Sequence, residues 1–288
     1  METKADQIVE TLSDQEKAAI IYHNLFDFPL NFSDLIRWKV GTGVTEIKNS
    51  KLISKRNGFY FLEGKVGVVY KRLLHKRISA KKILIANSAA KIISRIPSVK
   101  MIAITGSLAM ENSNEESDID LMIITKKNLL WTTRAFVYLL IGLLGIKKRR
   151  PFDSNQKDKL CLNIWMDESD LSWTKKQRNI YTAHEIAQIL PLVNKDNTYE
   201  KLLNINRWVL KYWPNSVKIE RIENSVKSRV KEQNVIRYTL FTDFLEKLFF
   251  KLQYQYMKTK MTREVATATR ALFHPQDWGK VVLGRLTS

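Results

Sequence analysis

Apolar and polar positions change period several times along the chain, and the changes mark out its elements. Ser13 and Glu16 form a capping box, so a helix is predicted from Asp14 through Ala18, Ile21 and Leu25 toward Phe26, ended by Asp27-Phe28-Pro29. A second helix is predicted from Phe32 to Val40, stopped by Gly41 and Gly43, and a third short one over Thr45 to Asn49. Leu52 to Arg56 and Phe59 to Glu63 flank Asn57-Gly58, a pair that supplies the two positive φ angles of a type I′ hairpin turn. Three short helices and a two-stranded ribbon outline a winged helix. A mostly helical pattern then runs to Pro97, and two apolar strands follow at Met101 to Thr105 and Ile119 to Thr125. Ala135 to Ile146 is apolar throughout, with Arg134 before it and Lys147 to Arg150 after it. It is too short to span a bilayer and reads as a buried helix, with a basic-flanked interfacial helix as the alternative. Another strand is predicted over Lys159 to Met166. Farther on, Asn197 and Glu200 cap a helix bearing Leu202, Ile205, Trp208 and Val209, and Leu240, Phe241, Phe244, Leu245, Leu248, Phe249 and Leu252 repeat at helical spacing.

The expected fold class is therefore mixed α+β. A winged-helix-like unit occupies residues 1–65, a small mixed-sheet core 66–170, and a helical region 171–288. A length of 288 residues with 44% hydrophobic content supports a sizeable core.

Charge adds a partner class. Lys and Arg outnumber Asp and Glu by 48 to 29, a formal balance of +19, which favours anionic partners: nucleotides, nucleic acid or an acidic lipid surface. Residues 65–100 hold ten Lys or Arg and no acid. They read as a solvated helix face or a phosphate contact. The winged unit mixes both signs, so a docking role stands ahead of DNA binding there. One cysteine, Cys161, excludes an internal disulfide and a cysteine-rich zinc site and reads as a small buried thiol. The polar first residues lack the apolar core of a signal peptide, and the expected location is the cytoplasm.

The chemistry lies between Met101 and Thr125. Asp118 and Asp120 are two apart on a strand, so they project from one face while Ile119 and Leu121 point to the other. Two converging carboxylates call for a divalent cation between them, and hard oxygen ligands suit Mg2+ or Mn2+. Gly106 lets backbone approach a phosphate, and Ser107 adds a hydroxyl at the start of a helix.

Gly106-Ser107 followed by Asp118-Ile119-Asp120 at the head of a strand resembles the signature of the DNA polymerase beta-like nucleotidyltransferase superfamily. The resemblance covers residues 101–125 with their apolar flanks. The longer layout, with Cys-Leu-Asn, Ala-His-Glu-Ile and Phe-His-Pro segments, looks like bacterial proteins described only as nucleotidyltransferase-domain proteins. The resemblance implies transfer of a nucleoside monophosphate from an NTP to an acceptor hydroxyl, the acceptor being unidentified. Asp118 and Asp120 would hold the metals, and Gly106 and Ser107 the β- and γ-phosphates. The family adds a third carboxylate on a later strand. Here the corresponding polar residue is Asn163, a weak metal ligand that cannot serve as a base. Asp167, Glu168 and Glu185 are the substitutes. Arg134 is expected to reach a phosphate, with an ion pair or a snorkelling arginine as the alternative. His184-Glu185 is followed by Gln188 and so lacks the second histidine of a helical zinc motif; His184 reads as a packed residue. His274-Pro275 carries no assignable chemistry. The alternative to an enzyme is a degenerate nucleotidyltransferase fold that binds nucleotide or nucleic acid as a regulator.

Overall fold

A computed structural model of the chain describes residues 7–8, 12–44, 47, 52–150, 153, 155–219, 235–259, 261, 264–273 and 278–287. The elements in chain order are β1 (Gln7–Ile8), α1 (Asp14–Asn24), α2 (Phe32–Arg37), β2 (Ile53–Arg56), β3 (Phe59–Leu62), α3 (Gly67–Ile93), β4 (Val99–Ile104), α4 (Gly106–Ala109), β5 (Ile119–Thr125) and α5 (Leu130–Leu143). They continue with β6 (Leu160–Asp167), α6 (Ile180–Ala187), β7 (Leu190–Asn194), α7 (Thr198–Ile205), α8 (Val209–Tyr212), α9 (Val235–Lys258), β8 (Val265–Ala266), β9 (Arg270–Leu272) and α10 (Trp278–Thr287). The fold is mixed α+β.

At the N-terminal end, Glu16 reaches back to the Ser13 amide at 2.9 Å and starts α1 as the sequence predicts. Asn57 and Gly58 take φ of 50° and 80°, and Arg56 pairs with Phe59, so the hairpin is closed by the two-residue turn its sequence calls for. The helix expected over Thr45 to Asn49 and the His274-Pro275 pair fall outside the described residues. α1, α2 and the hairpin bury Tyr22, Leu30, Leu35 and Trp38 in one core with Ile180 and Ala183 of α6, Trp213, and Val282 and Leu286 of α10.

The larger sheet runs β7-β4-β5-β6-β9-β8. β5 pairs antiparallel with β4 and parallel with β6, so the sheet is mixed. Along β5, Ile119, Leu121 and Ile123 face a layer made by α3, α5 and α9, while Met122 and Ile124 face the opposite side with Leu171, Ile189 and Leu202. Residues 121 to 125 are fully buried, as a central strand covered on both faces requires. The α5 N-terminus is capped from α9, where the Glu246 carboxylate accepts from the amides of Trp131 at 2.6 Å and Thr132 at 2.8 Å. The apolar run is thus helical from Ala135 to Leu143 and backs the sheet. Among the described residues, no helix is long and apolar enough to cross a membrane.

Two expectations need adjusting. The helix foreseen after Asn197 is split into α7 and α8, because the buried Asn206 side chain bonds Leu202 O and Leu171 O and accepts from Trp173 N. That amide ties the helix to the 171–173 loop and competes with the helical ladder. Lys82, inside the basic run, is no surface charge: its Nζ bonds Ser117 O at 2.7 Å, Glu115 O at 3.1 Å and Asp158 Oδ1 at 2.7 Å.

Candidate active site

The site is built where β4 ends and β5 begins. After Ile104 the chain must turn sharply to start α4, and Gly106 makes the turn at φ +62°, a region that L side chains rarely enter. A Cβ there would lie 2.8 Å from Asp120 Oδ2, so the bend is pressed against the carboxylate and leaves no room for a side chain. Ser107 follows, its hydroxyl 3.2 Å from that of Ser113. The 113–117 loop returns to β5 under the hold of Lys82, which places Asp118 just before the strand and Asp120 within it.

Asp118 and Asp120 lean to the same side. Oxygen atoms of both and the Cys161 sulfur lie within 4.8 Å of one another. Arg149 donates to Asp118 Oδ2 at 2.9 Å and approaches the Cys161 sulfur at 3.8 Å. Asn163 Nδ2 donates to Asp120 Oδ1 at 2.8 Å, and the other amide atom, Oδ1, is buried without a hydrogen-bond partner. Cys161 and Asn163 are two apart on β6 and so share the face that carries Asp120, where the register is irregular. Asp120 pairs with Cys161 but Met122 with Ile164, so β6 carries one extra residue there.

Burial and then the adjacent Asp118 raise Asp120 from 3.8 to about 7. Burial, reinforced by the two aspartates, pushes the Cys161 thiol far above its usual range. Glu185 of α6 is raised to about 7 by burial and then by the charge of Asp120. Its Oε1 accepts from Gln188 at 2.8 Å. Glu185 also lines a cavity of about 640 Å³ with Thr105, Met122 and Ile164, the immediate neighbours of the bend and of the acid-bearing strands. Trp173, Tyr181 and Trp278 form other walls of that cavity.

Of the predicted site residues, Gly106, Ser107, Asp118, Asp120 and Asn163 converge. Arg134 does not join them. Its guanidinium lies over the Tyr138 and Phe273 rings at 4.7 and 5.1 Å and bonds Gln253 in the helical layer behind the sheet. Burial also lowers its affinity for a proton. It is a packed cation rather than a phosphate ligand or a partner of an acid. Among the candidate third acids, Asp167 and Glu168 stand at the far end of β6, roughly 16 Å along the strand from Asp120 at about 3.3 Å per residue. Asp167 accepts from Asn128 N and Ser169 N, and Glu168 from Lys127 N. Glu185 is the one that senses Asp120.

Sequence reasoning missed Cys161 and Arg149. Cys161 alternates with Leu162 in an apolar strand, and only the pairing register reveals it as the neighbour of Asp120. Arg149 belongs to a run of four basic residues with nothing local to distinguish it.

Two carboxylates, an orphaned buried amide oxygen and a glycine bend form a donor set that fits a hard divalent cation. A neutral thiol adds little for such an ion. Residues 87–168 match the family model described as Polymerase beta, Nucleotidyltransferase. None of the curated proteins compared with the chain matches it.

Proposed function

Because residues 87–168 carry a nucleotidyltransferase domain of the polymerase beta-like superfamily, we propose that the chain transfers a nucleoside monophosphate from an NTP to an acceptor hydroxyl, releasing pyrophosphate. The observation that carries this reading is the Gly106 bend lying against Asp120, with Asp118 beside it. Asp118 and Asp120 would hold Mg2+ or Mn2+, and the free amide oxygen of Asn163 would be available as a further weak ligand. The chemistry such a cation would supply is a lower pKa for the attacking oxygen and compensation of charge on the leaving group. Gly106 and Ser107 take the β- and γ-phosphates through backbone N–H groups at the turn into α4. Arg149 is paired with Asp118 at the edge of the site, where its guanidinium could also meet a phosphate. Glu185, with a proton affinity matched to neutral pH, receives the proton of the acceptor hydroxyl.

The test is pyrophosphate release from NTPs with Mg2+ across a panel of hydroxyl acceptors. Release that Asp120→Asn abolishes supports the proposal. Triphosphate binding by calorimetry without release on any acceptor, unchanged in Asp120→Asn, overturns it. A second reading has its own observation. β6 sets a thiol and an amide beside Asp120 in place of a carboxylate, the arrangement expected if the site binds nucleotide without turnover. Triphosphate binding that requires Asp120 and never yields pyrophosphate selects that regulator.

A further inference from the structure

The face of the sheet opposite Asp120 is covered by α3, α5 and α9, and the outer surface of that layer is unusual. Helices at a protein surface ordinarily turn charged residues of both signs outward. Here each of the three exposes apolar side chains. On α5 they are Phe136, Leu139 and Leu143, the last 76% exposed. On α9, Phe244, Leu248 and Leu252 stand four apart in a stripe, with Phe244 62% exposed. α3 adds Tyr70, Leu84 and Ile85. The Phe136 and Phe249 rings meet at 6.4 Å, so α5 and α9 present neighbouring surfaces. Between the end of α3 and α5 lies an open groove of about 700 Å³ with apolar walls and two cations, Arg95 and Lys126, at its edge.

The charges around these side chains are nearly all positive. α3 and α5 contain no acid, and the two acids of α9 are Asp243 and Glu246. The Glu246 carboxylate is committed to the α5 N-terminus. Exposed lysines and arginines are plentiful: Arg77, Lys81 and Lys91 on α3, and Lys247 and Lys251 on α9.

We propose that this layer docks on an anionic lipid bilayer. Apolar side chains enter the interface while the surrounding cations meet acidic headgroups, each basic residue near the surface contributing to adhesion. Charge selects the occupant, because a neutral apolar partner leaves these cations unanswered. Docking by this layer leaves the opposite face of the sheet, with Asp120 and the cavity beside it, turned away from the bilayer. The inference stands whether or not the site transfers nucleotides.

The full chain is tested by cosedimentation with vesicles of equal parts phosphatidylglycerol and phosphatidylcholine, and with vesicles of phosphatidylcholine alone. Binding to the mixed vesicles that is weaker by about tenfold or more on the neutral ones, and that falls as salt is raised, is the expected result. The double variant Leu143→Asp with Leu252→Asp, at exposed positions, is expected to lose about tenfold or more while melting like the parent chain. Lys81→Glu with Lys251→Glu is expected to weaken binding to the mixed vesicles alone. Equal affinity for both vesicles, retention of binding by the leucine variant, or failure to bind either vesicle overturns the proposal. Concentration-dependent self-association that the leucine variant abolishes, without vesicle binding, also overturns it and assigns the layer to a second copy of the chain.

Discussion

Replacing Asp120 by Asn separates what the site needs from what the fold needs. The carboxyl stands at about 7 in the folded chain against an ordinary 3.8. It therefore binds its proton more tightly when folded, and stability falls as pH rises between those two values and stays lower above them. The whole difference corresponds to roughly 4 kcal/mol at about 1.4 kcal/mol per pH unit. Asp118 and Glu185 share the burden of buried charge, which leaves about 2–4 kcal/mol to Asp120 itself. The asparagine keeps an oxygen for the Asn163 amide, so the 2.8 Å hydrogen bond survives the change. Without divalent cation at pH 8, Asp120→Asn should therefore melt roughly 5–10 °C above the parent chain. Near pH 4 the two should converge. With Mg2+ and a non-hydrolysable triphosphate the order should change, since the parent gains a ligand at the acid pair and the variant does not. Differential scanning calorimetry at both pH values, with chelator or with Mg2+ and the analogue, measures all four states. A variant no more stable than the parent at pH 8, or one that gains as much from Mg2+, would refute the reasoning.

The other predictions probe the supports of the same site. Gly106→Ala forces a side chain into φ +62° and against Asp120; it should cost about 1–2 kcal/mol in stability and weaken triphosphate binding by roughly tenfold or more. Gly43→Ala, in open space, should change neither on the same calorimeter. Asn163→Asp turns the hydrogen bond to Asp120 into a carboxylate pair, so it should lower stability by about 1–3 kcal/mol without metal and tighten Mn2+ binding by paramagnetic titration. Lys82→Met removes three contacts that hold the loop before Asp118. Urea denaturation should show a loss of about 2–4 kcal/mol, and Lys81→Met, one position away and exposed, almost none. Glu246→Ala uncaps α5 and should cost about 1–3 kcal/mol by the same assay.

What could be read from the sequence was local. The Asn57-Gly58 turn, the Ser13 cap and the Gly106-Ser107 bend before Asp118-Ile119-Asp120 each follow from a few adjacent residues, and each is present. Alternation along β5 correctly set Asp118 and Asp120 apart from Ile119 and Leu121. What alternation cannot supply is register. That Cys161 stands directly opposite Asp120, with an extra β6 residue just beyond, depends on the pairing with β5, and no property of Leu160 to Met166 alone reveals it. β7 went unseen because Pro191 interrupts a short apolar run, a residue tolerated there at the edge of the sheet. Arg134 misled for a related reason. A cation at the head of an apolar helix near an acidic strand suggests a phosphate, but α5 packs behind the sheet and carries it away.

The N-terminal unit bears on the site through α6. His184 and Glu185 are consecutive, and the helix turns them toward different neighbours. His184 stacks on Trp38 at 4.1 Å, and its Nε2 lies 3.0 Å from that of His23. His23 donates from Nδ1 to Ala19 O, so its Nε2 is the acceptor and His184 the donor. Burial holds His23 down at about 3 and His184 well below its usual range, so both rings stay neutral and the N–H to N bond is kept across the working pH range. One residue later, Glu185 lines the cavity beside Thr105 and Met122. A helix fixed on one side by a buried ring pair cannot rotate freely, so the aromatic cluster around Tyr22, His23 and Trp38 sets the direction in which Glu185 points. Removing residues 1–65 would take away all three and with them the packing that orients α6. The N-terminal unit thus supports the acid arrangement through α6, and Glu185 lines the cavity near Asp120 because His184 is anchored to α1.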